Sequence, residues 1–291
     1  MIGVFDSGHG GLTVLDALRR SLPRETFLYL GDHARAPYGV RSGPEILALT
    51  RSGVRTLFEQ GCGLVILACN TASAVALRRL QQDWLPQAYP ERRVLGVVVP
   101  TIEVVAGAGF NGWATAQPSA RRGRVALFAT QATVESRVFE IEMHKRAPGI
   151  EIWAEACLDL ARLIEDGAPA DVLRACVEAH VRALLVRAGG KGAGARPFDA
   201  ALLGCTHFPL VRDAFEAALP PETEIVCQPS QVAAATQDYL ARHPRFASPG
   251  TGGVRLLTTG DPGQVERVAA AFASALSGLA GARFEPAPTR G

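Results

Sequence analysis

Two cysteines in this 291-residue chain stand where acid–base chemistry could be done. Cys69 lies in Ala68-Cys69-Asn70-Thr71-Ala72 and Cys205 in Gly204-Cys205-Thr206-His207. Each follows a short apolar run and precedes polar residues, so each falls where a buried strand meets the next element. If a helix follows, its free N–H groups and positive dipole end lower the thiol pKa and attract a carboxylate. A thiolate removes a proton and a thiol returns one. Two such groups facing a small anionic substrate could take a proton from one face and deliver one to the other. A single buried cysteine is commonly a small hydrophobe. That plainer account covers Cys62, Cys157, Cys176 and Cys227, which lack polar company at a strand end.

Other polar groups collect at predicted strand ends. Asp6-Ser7-Gly8-His9-Gly10-Gly11 follows the first strand, and Gly31-Asp32-His33-Ala34-Arg35-Ala36-Pro37-Tyr38-Gly39 follows the second. In open parallel sheets, ligands bind outside the carboxyl ends of strands. The glycines after Asp6 could be taken for a dinucleotide loop, but the third glycine of G-x-G-x-x-G is missing. A compact turn that exposes Asp6 and Ser7 to a ligand fits better. His207 could be a metal ligand, yet no matching Cys/His spacing accompanies it. A base or hydrogen-bond partner for the Cys205 thiol is better supported. His9 and His33 sit near the same strand ends.

The elements that must hold these groups follow from periodicity. Strands are predicted at Ile2–Phe5, Phe27–Leu30, Leu64–Ala68 and Val94–Val99. Helices are predicted between them at Leu12–Ser21, Glu45–Gln60 and Thr71–Asp83, with Gly61 ending the second. Gly107–Gly123 reads as a loop or linker. The rhythm then restarts with strands at Arg124–Phe128, Ile150–Ala154 and Ala200–Leu203. Helices are expected at Val134–Lys145, Asp159–Asp166 and Ala170–Ala188, and a turn at Gly189–Arg196. The last part carries a strand at Glu224–Cys227, a helix at Gln231–Arg242, a loop near Pro249–Gly253, a strand at Val254–Thr258, a helix at Pro262–Leu279 and a frayed tail from Glu285. Strands alternating with helices predict an α/β protein with doubly wound parallel sheets.

Composition narrows the function classes. Hydrophobic residues make up 48% and charged residues 20%, which fits a packed globular protein and not a disordered one. A net charge of +2 gives no reason to expect nucleic acid as the main ligand, which would favour a concentrated basic face. The start, Met-Ile-Gly-Val-Phe-Asp, lacks the layout of a signal peptide, and no long uncharged apolar stretch predicts a membrane span. Six cysteines without CxxC or a metal-ligand spacing are read as thiols of a reducing cytoplasm.

Taken in order, the motifs resemble those of the bacterial glutamate racemases, within the wider aspartate/glutamate racemase group. The matching stretches are Ile2–Gly8, Gly10–Val14, Gly31-Asp32, Ala36–Gly39, Ala68–Ala72 and Gly204–His207 with Pro209-Leu210, and they span nearly the whole chain. The resemblance implies two similar α/β domains with the active site between them, each supplying one cysteine. The expected division is residues 1–98 with 211–291 for the first and 99–210 for the second. It implies no cofactor and no metal, glutamate as substrate, D-glutamate made for peptidoglycan, and a homodimer. Cys69 and Cys205 would be the two acid/base groups, the first acting on the D- and the second on the L-enantiomer. Asp6 would assist Cys69, and His207 would assist Cys205. Ser7 and the Pro37-Tyr38-Gly39 backbone would hold the side-chain carboxylate. Asn70, Thr71 and Thr206 would hold the α-amino and α-carboxylate groups, Thr130 and Thr133 would line the site, and Glu165 would lie near the ammonium.

The chain departs from that pattern in places. His33 stands where threonine is usual, Val99 where glutamate precedes proline, Ala129 where glycine precedes threonine, Leu158-Asp159 where Pro-Leu is common, and Phe208 where tyrosine is usual. The segment Gly107–Arg122 is longer than usual. Other activities stay open at this point: racemisation of aspartate, a decarboxylase or isomerase of the same group, a partner-binding protein acting on, for example, a topoisomerase, or a redox protein. Both thiols are kept, which disfavours the decarboxylase, and the absence of CxxC disfavours the redox protein.

Overall fold

A computed structural model describes residues 1–107, 118–189, 197–248, 250, 252–270, 276, 279 and 283–288. Its strands are β1 (Ile2–Asp6), β2 (Thr26–Gly31), β3 (Leu64–Leu67), β4 (Arg93–Gly96), β5 (Arg122–Ala129), β6 (Gly149–Ala156), β7 (Ala200–Gly204), β8 (Glu224–Val226), β9 (Gly253–Thr258) and β10 (Phe284–Pro286). They form two sheets, ordered β10-β9-β2-β1-β3-β4 and β6-β5-β7-β8, and all pairings are parallel. With helices between successive strands, this is the α/β architecture expected from the sequence.

The central strands β1, β3 and β7 are buried at every residue, which is why they read as unbroken apolar runs. One apolar core joins residues of both sheets, including Ile2, Val4 and Ile66 from the first and Phe128, Ala201 and Leu203 from the second. Burying each large apolar side chain of that kind contributes about 1.5–3 kcal/mol. The halves therefore share packing as well as a covalent chain.

Several sequence expectations are corrected. Val94–Val99 is not one strand: β4 ends at Gly96, and Val98–Ala106 is a helix. Val97 and Val98 are buried, so an apolar run there looks the same in either element. Pro100 is tolerated because it sits in the first helical turn, where N–H groups have no intrahelical acceptor. The expected Thr71–Asp83 helix is broken into Asn70–Val75, Leu77–Arg79 and a wide turn at Leu80–Trp84. The Val134–Lys145 helix is two, Gln131–Glu135 and Val138–Arg146, parted at Arg137, whose φ is 53°. The Glu45–Gln60 helix begins earlier, at Gly43, because Ser42 and Glu45 form a capping box. Arg212–Ala218 is a helix that the periodicity did not reveal. Phe284–Pro286 pairs with β9 in place of the frayed tail. Most of the Gly107–Gly123 linker and the Gly189–Arg196 turn, and the end of the Pro262–Leu279 helix, lie outside the described residues.

The second sheet also reaches further than residue 210. β8 pairs with β7, so residues 224–226 belong to that sheet, and the chain returns to the first sheet after Val226.

Register brings the site together. Phe5 lies beside Leu67, and the N–H groups of Ala68 and Cys69 donate to the Phe5 carbonyl at 2.8 and 3.4 Å. Asp6 and Cys69 thus leave adjacent strands at one end. Ala129 lies beside Gly204, so Thr130 and Cys205 leave their sheet together too.

Candidate active site

Cys69 caps the Asn70–Val75 helix: its sulfur accepts from the Ala72 N–H at 3.4 Å. The Ser7 hydroxyl is 3.5 Å from the same sulfur. Burial pushes the Cys69 thiol up to about 12, helped by the nearby Asp6 carboxylate, and the Ala72 and Ser7 hydrogen bonds do not outweigh this. The resting thiol is therefore protonated at neutral pH. Alkylation of Cys69 by iodoacetamide in the ligand-free protein is expected to rise about ten-fold per pH unit from about pH 7 to 10 without levelling off. Peptide mass spectrometry resolves Cys69 from the other five thiols. A plateau near pH 9 would show an ordinary thiol and contradict the burial argument.

On the other arm, the Cys205 sulfur is 3.8 Å from Nδ1 of His207, and Nε2 of that ring is 2.9 Å from Oε1 of Glu165. A carboxylate only accepts, so Nε2 carries the hydrogen and Nδ1 is left to exchange a proton with Cys205. Burial alone would lower the His207 pKa. The contacts with Cys205 and Glu165 reverse that and hold it well above the usual histidine range. Burial likewise opposes ionisation of Glu165, but the hydrogen bonds to His207 and His9 keep its pKa far below the usual carboxylate value.

Asp6 is fully buried between the arms. It accepts from the Gly8 N–H at 2.8 Å, and the Thr206 hydroxyl is 3.4 Å from its other oxygen. Burial raises its pKa, and the His207 charge pulls the other way. Asp6 therefore faces the Cys69 arm through space and the Cys205 arm through Thr206.

The glycines after Asp6 are explained by close approach. A Cβ on Gly10 would stand 2.3 Å from Oγ1 of Thr206 and 2.7 Å from the His207 ring, and one on Gly8 would stand 2.9 Å from Oε1 of Glu165. The loop lies flat against the groups it helps to confine.

A third cluster closes the seam between the halves. The hydroxyls of Thr71, Thr130 and Thr133 form a triangle with edges of 2.9 Å (71 to 130), 3.3 Å (71 to 133) and 2.9 Å (130 to 133). Thr130 also caps its helix by accepting from the Thr133 N–H. Gly39 joins them: its carbonyl accepts from the Ala132 N–H at 3.1 Å, and a Cβ there would press on Thr130 at 2.8 Å.

Some expected site residues point elsewhere. The Tyr38 hydroxyl donates to Asp32 at 2.5 Å, and Asp32 also pairs with Arg35 at 2.6 Å. The side chain of Tyr38 thus braces the loop and leaves only its backbone for a ligand, while Pro37 is exposed. The Asn70 amide is paired reciprocally with Gln228, at 2.5 and 2.9 Å, and Gln228 also reaches Thr101 at 3.2 Å. Gln228 was missed from the sequence. Its signal was present in Val226-Cys227-Gln228, another strand end followed by Cys, a polar residue and a helix. Among the described residues, no group of three or more His, Cys, Asp or Glu is arranged to hold a metal ion. No helix among them is long and apolar enough to cross a membrane.

Two parallel-sheet halves meeting at thiols, a carboxylate and an imidazole define an α/β protein with a candidate acid–base site at its seam. No protein-family model matches the chain. It is 49% identical over 274 residues to the glutamate racemase of Phenylobacterium zucineum, covering 90% of this chain and 93% of that one. Its fold matches a glutamate racemase isoform of Bacillus anthracis with a TM-score of 0.79 at 26% identity, covering 100% of this chain and 97% of that one. It also matches the glutamate racemase of Thermus thermophilus, solved with β-chloro-D-alanine, with a TM-score of 0.75 at 32% identity, covering 99% and 96%. The chain belongs to the glutamate racemase family, whose members are isomerases acting on an amino acid.

Proposed function

We propose that this chain interconverts L- and D-glutamate without a cofactor, by moving the α-proton between Cys69 and Cys205. The observation that carries the proposal is the pair of buried thiols, one from each sheet, with Asp6 reaching both arms. Cys205 takes the proton of L-glutamate, using Nδ1 of His207 as its proton partner, and Cys69 delivers one to the opposite face. In the reverse direction Cys69 takes the proton of D-glutamate. An α-proton is very weakly acidic, so charge developing at Cα must be stabilised. The hydroxyls of Thr71, Thr130, Thr133 and Thr206 and the backbone of Asn70 are suited to the α-carboxylate and α-amino groups. Ser7 and the Tyr38-Gly39 backbone are suited to the side-chain carboxylate. Excluding water at the seam strengthens each of these contacts. We assign the sheets to two domains that exchange the chain near Val97 and after Val226, and the product to peptidoglycan synthesis in a bacterial cytoplasm.

The test is circular dichroism of the purified protein with L-glutamate and, separately, L-aspartate in deuterated water, with no cofactor added. Loss of signal with glutamate alone, with one deuterium gained at Cα, is the expected result. Loss with aspartate alone would change the substrate, and no loss with either would overturn the proposal.

A further inference from the structure

Glu165 receives two imidazoles on one oxygen. Nε2 of His207 lies 2.9 Å from Oε1, and Nδ1 of His9 lies 3.5 Å from the same atom. His9 is buried, and its Nε2 is 3.1 Å from the carbonyl oxygen of Val265. A carbonyl and a carboxylate only accept, so each nitrogen of His9 faces an acceptor, and the two contacts fix the ring. The ring of His33 meets the ring of His9 at 62°, with centroids 4.3 Å apart. Nδ1 of His33 is 3.0 Å from the Gly31 carbonyl, and it lies 2.8 Å from the hydroxyl of Thr258. Burial, with the neighbouring His9, lowers the His33 pKa to about 3, so His33 stays neutral beside His9.

We infer that His9 is a positioning residue for proton transfer at Cys205: it holds the Glu165 carboxylate in place, and Glu165 in turn fixes the ring of His207. The inference rests on the proposed two-thiol route. Its physical content is a competition for one oxygen. A donor at Nδ1 of His9 draws on the charge of Glu165 and limits how strongly that carboxylate holds the Nε2 hydrogen of His207. It also stops the Glu165 side chain from swinging away from His207. The connection crosses the seam: His9 comes from the loop after β1, and Glu165 comes from the Leu160–Glu165 helix. His33 gives the second ring against which His9 is set, which accounts for one of the departures from the family pattern.

Two near-isosteric variants separate this role from simple packing. In His9→Gln the amide nitrogen reaches the place of Nε2, keeping the Val265 contact and losing the donor to Glu165. In His9→Asn it reaches the place of Nδ1 and does the reverse. For each variant, racemisation of glutamate is followed from both enantiomers, together with the isotope effect of α-deuterated substrate on kcat/KM. His9→Gln is expected to lose about ten-fold in kcat/KM, as is usual when an outer partner of a working group is removed. Its isotope effect should rise from L-glutamate and fall from D-glutamate, because only the Cys205 step has been slowed. His9→Asn should recover most of the activity and the wild-type isotope effects. Wild-type behaviour in His9→Gln, equal changes in both directions, or a loss confined to His9→Asn would each overturn the inference. His207→Asn is the reference. If it shows the one-sided change and His9→Gln does not, only the role of His9 falls. If His207→Asn shows none, the proposed route through Cys205 falls with it. Thermal melting of each variant separates misfolding from a kinetic loss.

Discussion

Cys69→Ser and Cys205→Ser are each expected to lower racemisation of glutamate by about a thousand-fold or more while leaving the fold intact. A hydroxyl in place of either thiol is a far weaker acid, so the face it serves loses its proton carrier. General acid–base groups typically contribute 10²–10⁴-fold, and a thousand-fold loss corresponds to about 4 kcal/mol of barrier. The fold should tolerate both changes for local reasons. At position 69 the side chain caps a helix by accepting from the Ala72 N–H, a duty that serine performs well. Cys205 is 6% exposed and loses only a small volume. Circular dichroism of racemisation from both enantiomers, with a thermal melt of each variant, checks both halves of the expectation. A variant with more than about a tenth of the wild-type rate would sink the two-thiol route.

Asp6→Asn has the next largest expected effect, a loss of about a hundred-fold. The carboxylate is buried and receives the Gly8 N–H and the Thr206 hydroxyl. An asparagine keeps one acceptor and turns the other oxygen into a donor. Because the two enantiomers are equal in free energy, kcat/KM must fall equally in both directions, and the assignment has to be read from isotope effects. If Asp6 serves Cys69, the effect of α-deuteration rises from D-glutamate and falls from L-glutamate. The contact with Thr206 gives the opposite arm a claim as well. Equal changes from the two enantiomers would show that Asp6 serves both thiols and refute its assignment to Cys69 alone. Removing a buried charge also relieves the cost of burial, so the melting temperature should not fall with the rate.

Much of this was legible in the sequence because parallel strands buried on both faces announce themselves. Leu64–Leu67 and Ala200–Gly204 are apolar runs ended by Cys69 and Cys205, and a strand end in a parallel sheet is where ligands bind. The same property hid the helix at Val98–Ala106. A segment packed largely on all sides has no polar face to reveal its period. The partners of Gln228 and His9 and the second contact of Asp6 were illegible for another reason. Each depends on partners far away in the chain: Gln228 on Asn70, His9 on Glu165, and Asp6 on Thr206. A spacing rule sees neighbours in sequence. It does not see which loops a sheet register brings face to face.

The threonine triangle has a consequence for a site that must accept a molecule and its mirror image. A hydroxyl has one hydrogen that turns freely about the C–O bond. Three hydroxyls in a ring are satisfied when each points its hydrogen to the next, and the circuit can run in either sense. Reversing it takes three bond rotations and moves no heavy atom. Turning one hydroxyl out of the circuit frees its hydrogen, so Thr71, Thr130 and Thr133 can offer a visitor either a lone pair or, with one link opened, a hydrogen. A wall of fixed dipoles would favour one hand of the ligand over the other. A wall of rotors is indifferent to handedness, so under the proposed two-thiol route the discrimination between the two hands falls to the sulfur on either side.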